Sequence, residues 1–336
     1  MKTRHERMYE YIESQRDMGH DTKMRFIPLP NDDVSAVHIT SLFDSNLELP
    51  EFVTGIGNPY QENSANEIFG DILECTMCCF EKIHIKGLKI FGDSISGWLV
   101  RAINVREVIL EDIDFSNISN TVLMFSELPY LKSVKFINCN MSSIKNMSEM
   151  FCELPYLKSV KFVNCNISSI KNMSKMFYVC EMLEDVDIRC FDTKNVTDMS
   201  SMFCWCRSLK QIDLSNFDTS KVESMNNMFC HCLNLREIDL SNFKTDKVET
   251  FGSMFIDCCR LEKVDISNFH INSGAEIQYI FTRCNNLKEI EAKENYTEIL
   301  IEASKRREYE SNCLLEYFAL GYFDNSESDD EQILMP

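Results

Sequence analysis

Sixteen cysteines among 336 residues are the first place to look for chemistry. Cys204-Trp-Cys206, Cys230-His-Cys232 and Cys258-Cys259 have the spacing of paired metal ligands, and His231 offers a nitrogen donor beside them. A structural zinc site needs four such ligands converging on one point. The column these residues occupy favours a different reading. Cys180, Cys206, Cys232, Cys258 and Cys284 stand 26 residues apart, and Ala102, Leu128 and Leu154 fill the same column upstream. A position that accepts Cys, Leu or Ala is small, apolar and buried, where a free thiol acts as a small hydrophobe. Cys139 and Cys165 likewise share a column with Phe191 and Phe217. The expectation is core packing, with no metal and no cofactor; a metal or redox protein built on the Cys-x-Cys pairs is the lesser alternative. So many unpaired-looking thiols suit a reducing compartment.

Other catalytic signals are thin. His5, His20, His38, His84, His231 and His270 are scattered, and no motif ties them to a nucleophile. Glycine is rare, at ten residues, and no Gly-rich phosphate loop is present. The formal net charge of −19 argues against a nucleic-acid partner, because phosphate binding calls for a basic surface. Residues 1–20 lack the apolar run of a signal peptide, and no stretch is apolar enough for a transmembrane helix. The expected location is therefore cytoplasmic. Six of seven Asn-x-Ser/Thr sequons lie in the repeated region and read as by-products of the repeat.

The elements that would position any site follow from the period. Phe125, Phe151, Phe177, Phe203, Phe229, Phe255 and Phe281 recur every 26 residues. A fixed period in this range marks a solenoid, in which each supersecondary unit stacks on its own copies. Leu209-x-x-Ile212-x-Leu214 is a leucine-rich-repeat strand pattern, and two-residue spacing puts Ile212 and Leu214 on one strand face. The spacing of Met199, Met202-Phe203 and Cys206 predicts a short helix in the second half of each coil. Asn120, Asn146, Asn172, Asp198, Ser224 and Thr250 form its expected N-cap column. The Met stripe Met147, Met173, Met199 and Met225 reads as core. Residues 125–150 and 151–176 agree at 22 of 26 positions, which points to duplication of a unit.

The outward strand residues form two columns. One runs Lys135, Lys161, Asp187, Asp213, Asp239, Asp265 and Glu291; the other runs Ser133, Ser159, Asp185, Gln211, Glu237, Lys263 and Glu289. Varied residues beside constant Leu, Val or Ile are what a binding face permits. Stacked like charges repel, so the acidic column either keeps the concave face wet or awaits a basic partner. The candidate partner-binding residues are Lys135, Lys161, Asp185, Asp187, Gln211, Asp213, Glu237, Asp239, Lys263, Asp265, Glu289 and Glu291. No catalytic or metal residue is proposed.

The run Asn195-Val-Thr-Asp-Met-Ser-Ser-Met-Phe-x-x-Cys-x-Ser-Leu-Lys-x-Ile-Asp-Leu-Ser-Asn-Phe217 resembles the repeat of BspA-like leucine-rich-repeat surface proteins. That resemblance covers roughly residues 95–292 and implies a non-enzymatic protein used for adhesion or protein binding. The expected fold is an α/β leucine-rich-repeat solenoid of about eight coils, strand plus short helix per coil, capped at both ends. Residues 1–70, which hold Pro28, Pro30, Pro50 and Pro59, would be the N-terminal cap, with 1–20 a mobile terminus rather than a charged helix and Val34–Ile39 a capping strand. Residues 71–293 would be the solenoid, 294–322 a C-terminal capping helix and 323–336 an acidic tail. The expected function is a protein-interaction scaffold binding on its concave strand face. The alternative, as in the resembled family, is a surface or exported adhesin or effector.

Overall fold

The structure is a computed structural model and describes residues 2–17, 24–28, 34–39, 46–47, 55–56, 81–96, 103–293, 296 and 300. The chain divides into units Met1–Lys305 and Arg306–Pro336, the second lying outside the described residues. The acidic tail, and all of the expected C-terminal helix except Tyr296 and Leu300, lie outside them too.

The first element is α1 (Arg4–Asp17). A helix therefore forms where a mobile terminus is expected. Its start is closed by a capping box, in which the Glu6 amide donates to Thr3 Oγ1 at 3.1 Å and the Thr3 amide to Glu6 Oε2 at 2.8 Å. Met8 is buried, which anchors the helix by its apolar side. Four short strands follow: β1 (Met24–Pro28), β2 (Val34–Ile39), β3 (Asn46–Leu47) and β4 (Gly55–Ile56). The strand expected at Val34–Ile39 is present and pairs antiparallel with β1.

The solenoid strands are β5 (Lys82–Lys86), β6 (Lys89–Ile90), β7 (Glu107–Glu111), β8 (Ser133–Ile137), β9 (Ser159–Val163), β10 (Asp185–Asp187), β11 (Glu237–Asp239), β12 (Lys263–Asp265) and β13 (Glu289–Glu291). They form a parallel sheet in the order β10-β9-β8-β7-β5-β3 and a second parallel sheet β11-β12-β13, while β6 joins the sheet β1-β2-β4-β6. From β8 onward each partner is 26 residues away, as in Val134 opposite Val160 and Val264 opposite Ile290. A column of bridges from Ser94 through Asn120, Asn146, Asn172, Asp198, Ser224 and Thr250 to Glu276 marks eight coils, in agreement with the expected solenoid.

The second half of each coil is not the expected helix. It is a ladder of turns, and the backbone shows why. Two residues per coil, such as Ser201 (φ 54°) and Trp205 (φ 66°), take left-handed conformations that an α-helix cannot contain. The same two positions repeat from Leu123 and Glu127 through Tyr279 and Arg283, all of them non-glycine. Amides then alternate. Those of Met202, Cys204 and Cys206 donate within the coil to Met199, Ser201 and Phe203, whereas those of Met199, Ser201, Phe203 and Trp205 donate to Ser224, Asn226, Met228 and Cys230 of the next coil. Hydrogen bonds between coils thus replace the i→i−4 bonds of a helix. The expected cap residues keep their local role in this setting: Asn120, Asn146, Asn172 and Asp198 each accept the amide two residues on.

The core lies between strands and turns. Phe125, Phe151, Phe177, Phe203, Phe229 and Phe255 are buried and stack almost parallel at 5.0 to 5.6 Å. The Met column Met147, Met173, Met199 and Met225 is buried beside them.

Candidate interaction face

Along β7 and β8 buried and half-exposed residues alternate strictly, so each strand gives one row to the core and one to solvent. The outward row carries the expected site residues, and the fold distributes them over three zones. Lys135, Lys161, Asp185 and Asp187 stand on the six-stranded sheet. Glu237, Asp239, Lys263, Asp265, Glu289 and Glu291 stand on the three-stranded sheet. Gln211 and Asp213 lie between them, exposed, in a coil that forms no strand.

Four aspartates of the acidic column do local work by bonding the residue two positions on. Asp213 Oδ1 accepts from the Ser215 amide at 3.1 Å and its hydroxyl at 2.7 Å. Asp239 and Asp265 accept the Ser241 and Ser267 amides, both at 2.9 Å. Asp187 takes the Arg189 guanidinium on both oxygens, at 2.9 Å each. These bonds hold the Asp187, Asp213 and Asp239 carboxyls below their ordinary range, the main causes being the Arg189, Ser215 and Ser241 side chains respectively.

Much of the remaining charge is paired. Lys161 meets Asp185 at 2.6 Å, and Lys263 bridges Glu289 at 3.0 Å and Glu291. The hydrogen bonds that Lys263 donates to Glu291 and then to Glu289 raise its ammonium pKa above the usual value. Arg236, Glu237, Glu262, Lys263, Lys288 and Glu289 line a shallow recess of alternating sign.

The thiols belong to the core. Cys180, Cys206, Cys232 and Cys258 are fully buried, and each S–H donates to the carbonyl of Phe151, Phe177, Phe203 or Phe229 in the preceding coil at 2.9 to 3.2 Å. Burial pushes these thiols well above the ordinary cysteine range, the opposite of a reactive or ligating sulfur. Cys180, Cys206, Cys232 and Cys258 are free thiols, and among the described residues no group of three or more His, Cys, Asp or Glu could hold a metal ion. His231 is buried, stacked on Trp205 at 4.1 Å, with Nδ1 3.5 Å from Asp257 Oδ2.

One surface column escapes the strand-based reading: Tyr130, Tyr156 and Met182 are exposed just before the strands. Their common 26-residue spacing was the available signal.

Fold and face together define a leucine-rich-repeat type of solenoid. The chain belongs to the family described as "Mycoplasma protein of unknown function, DUF285", which matches residues 93–211 and 180–295, more than half of the sequence. This agrees with the BspA-like repeat recognised in residues 195–217. No curated protein matches the chain. Among solved structures, it is similar to a leucine-rich cell surface protein from Faecalibacterium prausnitzii, with 11% identity over 86% of this chain and 97% of that one at a TM-score of 0.30. It is also similar to a leucine-rich repeat protein from Eubacterium ventriosum, with 14% identity over 80% of this chain and 82% of that one at a TM-score of 0.25. An internalin from Listeria monocytogenes matches with 10% identity over 71% and 72% of the two chains at a TM-score of 0.26. Among the described residues, no helix is long and apolar enough to cross a membrane.

Proposed function

We propose that the chain is a non-enzymatic interaction scaffold that seats a protein partner on its strand face. One observation carries this reading. Inward strand residues are nearly constant and buried or half-buried, whereas outward residues change type and charge from coil to coil on the same frame. Such a surface can be varied for a partner without disturbing the fold. The coils from Asp213 to Asp265 suit a partner with a basic patch, and steering by that charge makes association slow as salt rises. The free, buried thiols support a cytoplasmic setting, with a cell-surface or exported adhesin as the alternative; cell fractionation separates the two.

The test starts with a photo-crosslinking residue placed at Gln211 or, as a control, at the exposed Lys175 of the turn ladder. Capture from Gln211 alone identifies the partner. The purified partner should then bind Asp213→Asn/Asp239→Asn/Asp265→Asn more weakly than the parent chain. Equal affinity in a folded variant would return the acidic column to its turn-forming role alone.

A further inference from the structure

The first full coils carry a surface of the opposite sign. Tyr130 and Tyr156 occupy equivalent positions in adjacent coils, stack at 6.3 Å and 29°, and are 51% and 46% exposed. Met182, 40% exposed, continues their column in the next coil. Two residues further on, Lys132 and Lys158 form an exposed column of their own, and Lys135 and Lys161 stand three residues beyond on β8 and β9. Neighbouring strands in a sheet lie about 4.8 Å apart, so each lysine column places like charges side by side.

Among the described residues the four make one ion pair, Lys161 with Asp185, and Lys161 also attracts Asp187, which is itself held by Arg189. Further along, lysines of the Lys132 column and of the outward column beside it, which holds Ser133 and Asp185, have counter-ions from neighbouring coils. Lys288 pairs with Glu262 at 2.9 Å and Lys263 with Glu289 at 3.0 Å. A chain with a net charge of −19 therefore holds four clustered lysines that make a single ion pair among the described residues, edged by an exposed apolar ladder. Large exposed apolar side chains rimmed by charge mark an interaction site.

We infer that this strip is a docking site for an acidic protein segment that carries an apolar or aromatic residue. Carboxylates would neutralise Lys132, Lys135 and Lys158, and the apolar residue would cover the tyrosine pair. Charge complementarity selects this occupant. The inference rests on the strand-face reading only in sharing Lys135 and Lys161. It assigns the first coils a partner chemistry opposite to that of the later ones.

The probe is a short fluorescent synthetic peptide of Asp and Glu flanking a Leu-Phe pair. Controls are the same peptide with Lys in place of each acid and oligo-dT of equal length. Saturable binding of the acidic peptide is expected. Tyr130→Ala/Tyr156→Ala should weaken it by about tenfold. Lys132→Gln/Lys158→Gln should weaken it and flatten its salt dependence. Asp213→Asn/Asp239→Asn/Asp265→Asn should leave it unchanged, which separates this site from the acidic face. Three results would overturn the proposal: no saturable binding, binding indifferent to both the Tyr and the Lys variants with circular dichroism confirming their fold, or tighter binding of oligo-dT through the same residues.

Discussion

Coils 107–163 and coils 185–291 share a period and a core, yet they build different strands. In the earlier group the strands span five residues; in the later group they span three, except in the Gln211–Asp213 coil, which forms no strand. The middle outward residue accounts for the change. Lys135 and Lys161 cannot accept a hydrogen bond, so the backbone runs on to Asn138 and Asn164, where a left-handed residue (φ 53° in both) ends the strand. In the later coils, apart from the terminal Glu291, an Asp stands there and captures the amide two residues on, which turns the chain early. The same substitution reverses the sign of the face. This column thus sets strand length together with part of the surface charge, whereas the neighbouring outward column, from Ser133 to Glu289, changes charge without touching the turn.

The largest effect that bears on this comparison comes from register. Deleting residues 151–176 leaves Phe125 and Phe177 as neighbours 26 positions apart, so the protein should retain a cooperative thermal transition. Deleting only residues 151–163 sets strand against turn and should abolish that transition. If the two deletions melt alike, the coils are not interchangeable units.

Next in size is a response to acid centred on His231 in the later coils. At the second left-handed position the early coils place Glu127, exposed, and the later ones bury His231 against Trp205, with Asp257, Arg207 and Arg283 around it. Desolvation lowers the His231 pKa from 6.5 to about 4, against the raising influence of Asp257. The folded state therefore binds fewer protons than the unfolded state between these values. Stability is complete above pH 6.5 and falls as pH drops toward 4, by about 3 kcal/mol at the limit. Urea melts across this window should show the loss, and His231→Asn should remove most of its pH dependence. An unchanged slope in that variant would transfer the effect to other groups.

A smaller effect separates the two roles of the acidic column. Asn keeps an accepting oxygen, whereas Ala does not. Asp239→Ala should cost about 1 kcal/mol and Asp239→Asn close to nothing, measured as shifts in the denaturation midpoint. Equal costs would mean that charge, not the turn, is what the column supplies to stability. Smallest of all is Glu127→Gly at φ 60°, which relieves left-handed strain but loosens the unfolded chain. A net gain of roughly 0.5 kcal/mol is expected by thermal melting.

The period, the Phe and Met columns, the buried thiols and the strand register were all legible in the sequence, because each depends on side chains that repeat. The turn ladder was not. Met199, Met202, Phe203 and Cys206 face the core in the ladder as they would in a helix, so apolar spacing cannot separate the two. Glycine would have signalled the left-handed positions, but Ser201, Trp205, Asn227 and His231 occupy them instead. The acidic column was legible as a column. Its bonds to Ser215, Ser241 and Ser267 were not recognised, although each Asp is followed by Ser two residues later. The Tyr130–Tyr156 pair was visible in the period and overlooked because it precedes the strand.

The rungs that join one coil to the next, from the Met199 amide to Ser224 and from the Glu184 amide back to Lys158, lie along the stacking direction. Tension applied across the solenoid would load successive interfaces in series, so the weakest would part first. Each interface lost should free one 26-residue coil, and such a coil drawn straight spans roughly 90 Å. Stretched between a bead and a surface, the molecule should lengthen in equal steps of that size. It would act as a force-limiting spring whose extension counts the coils it has surrendered.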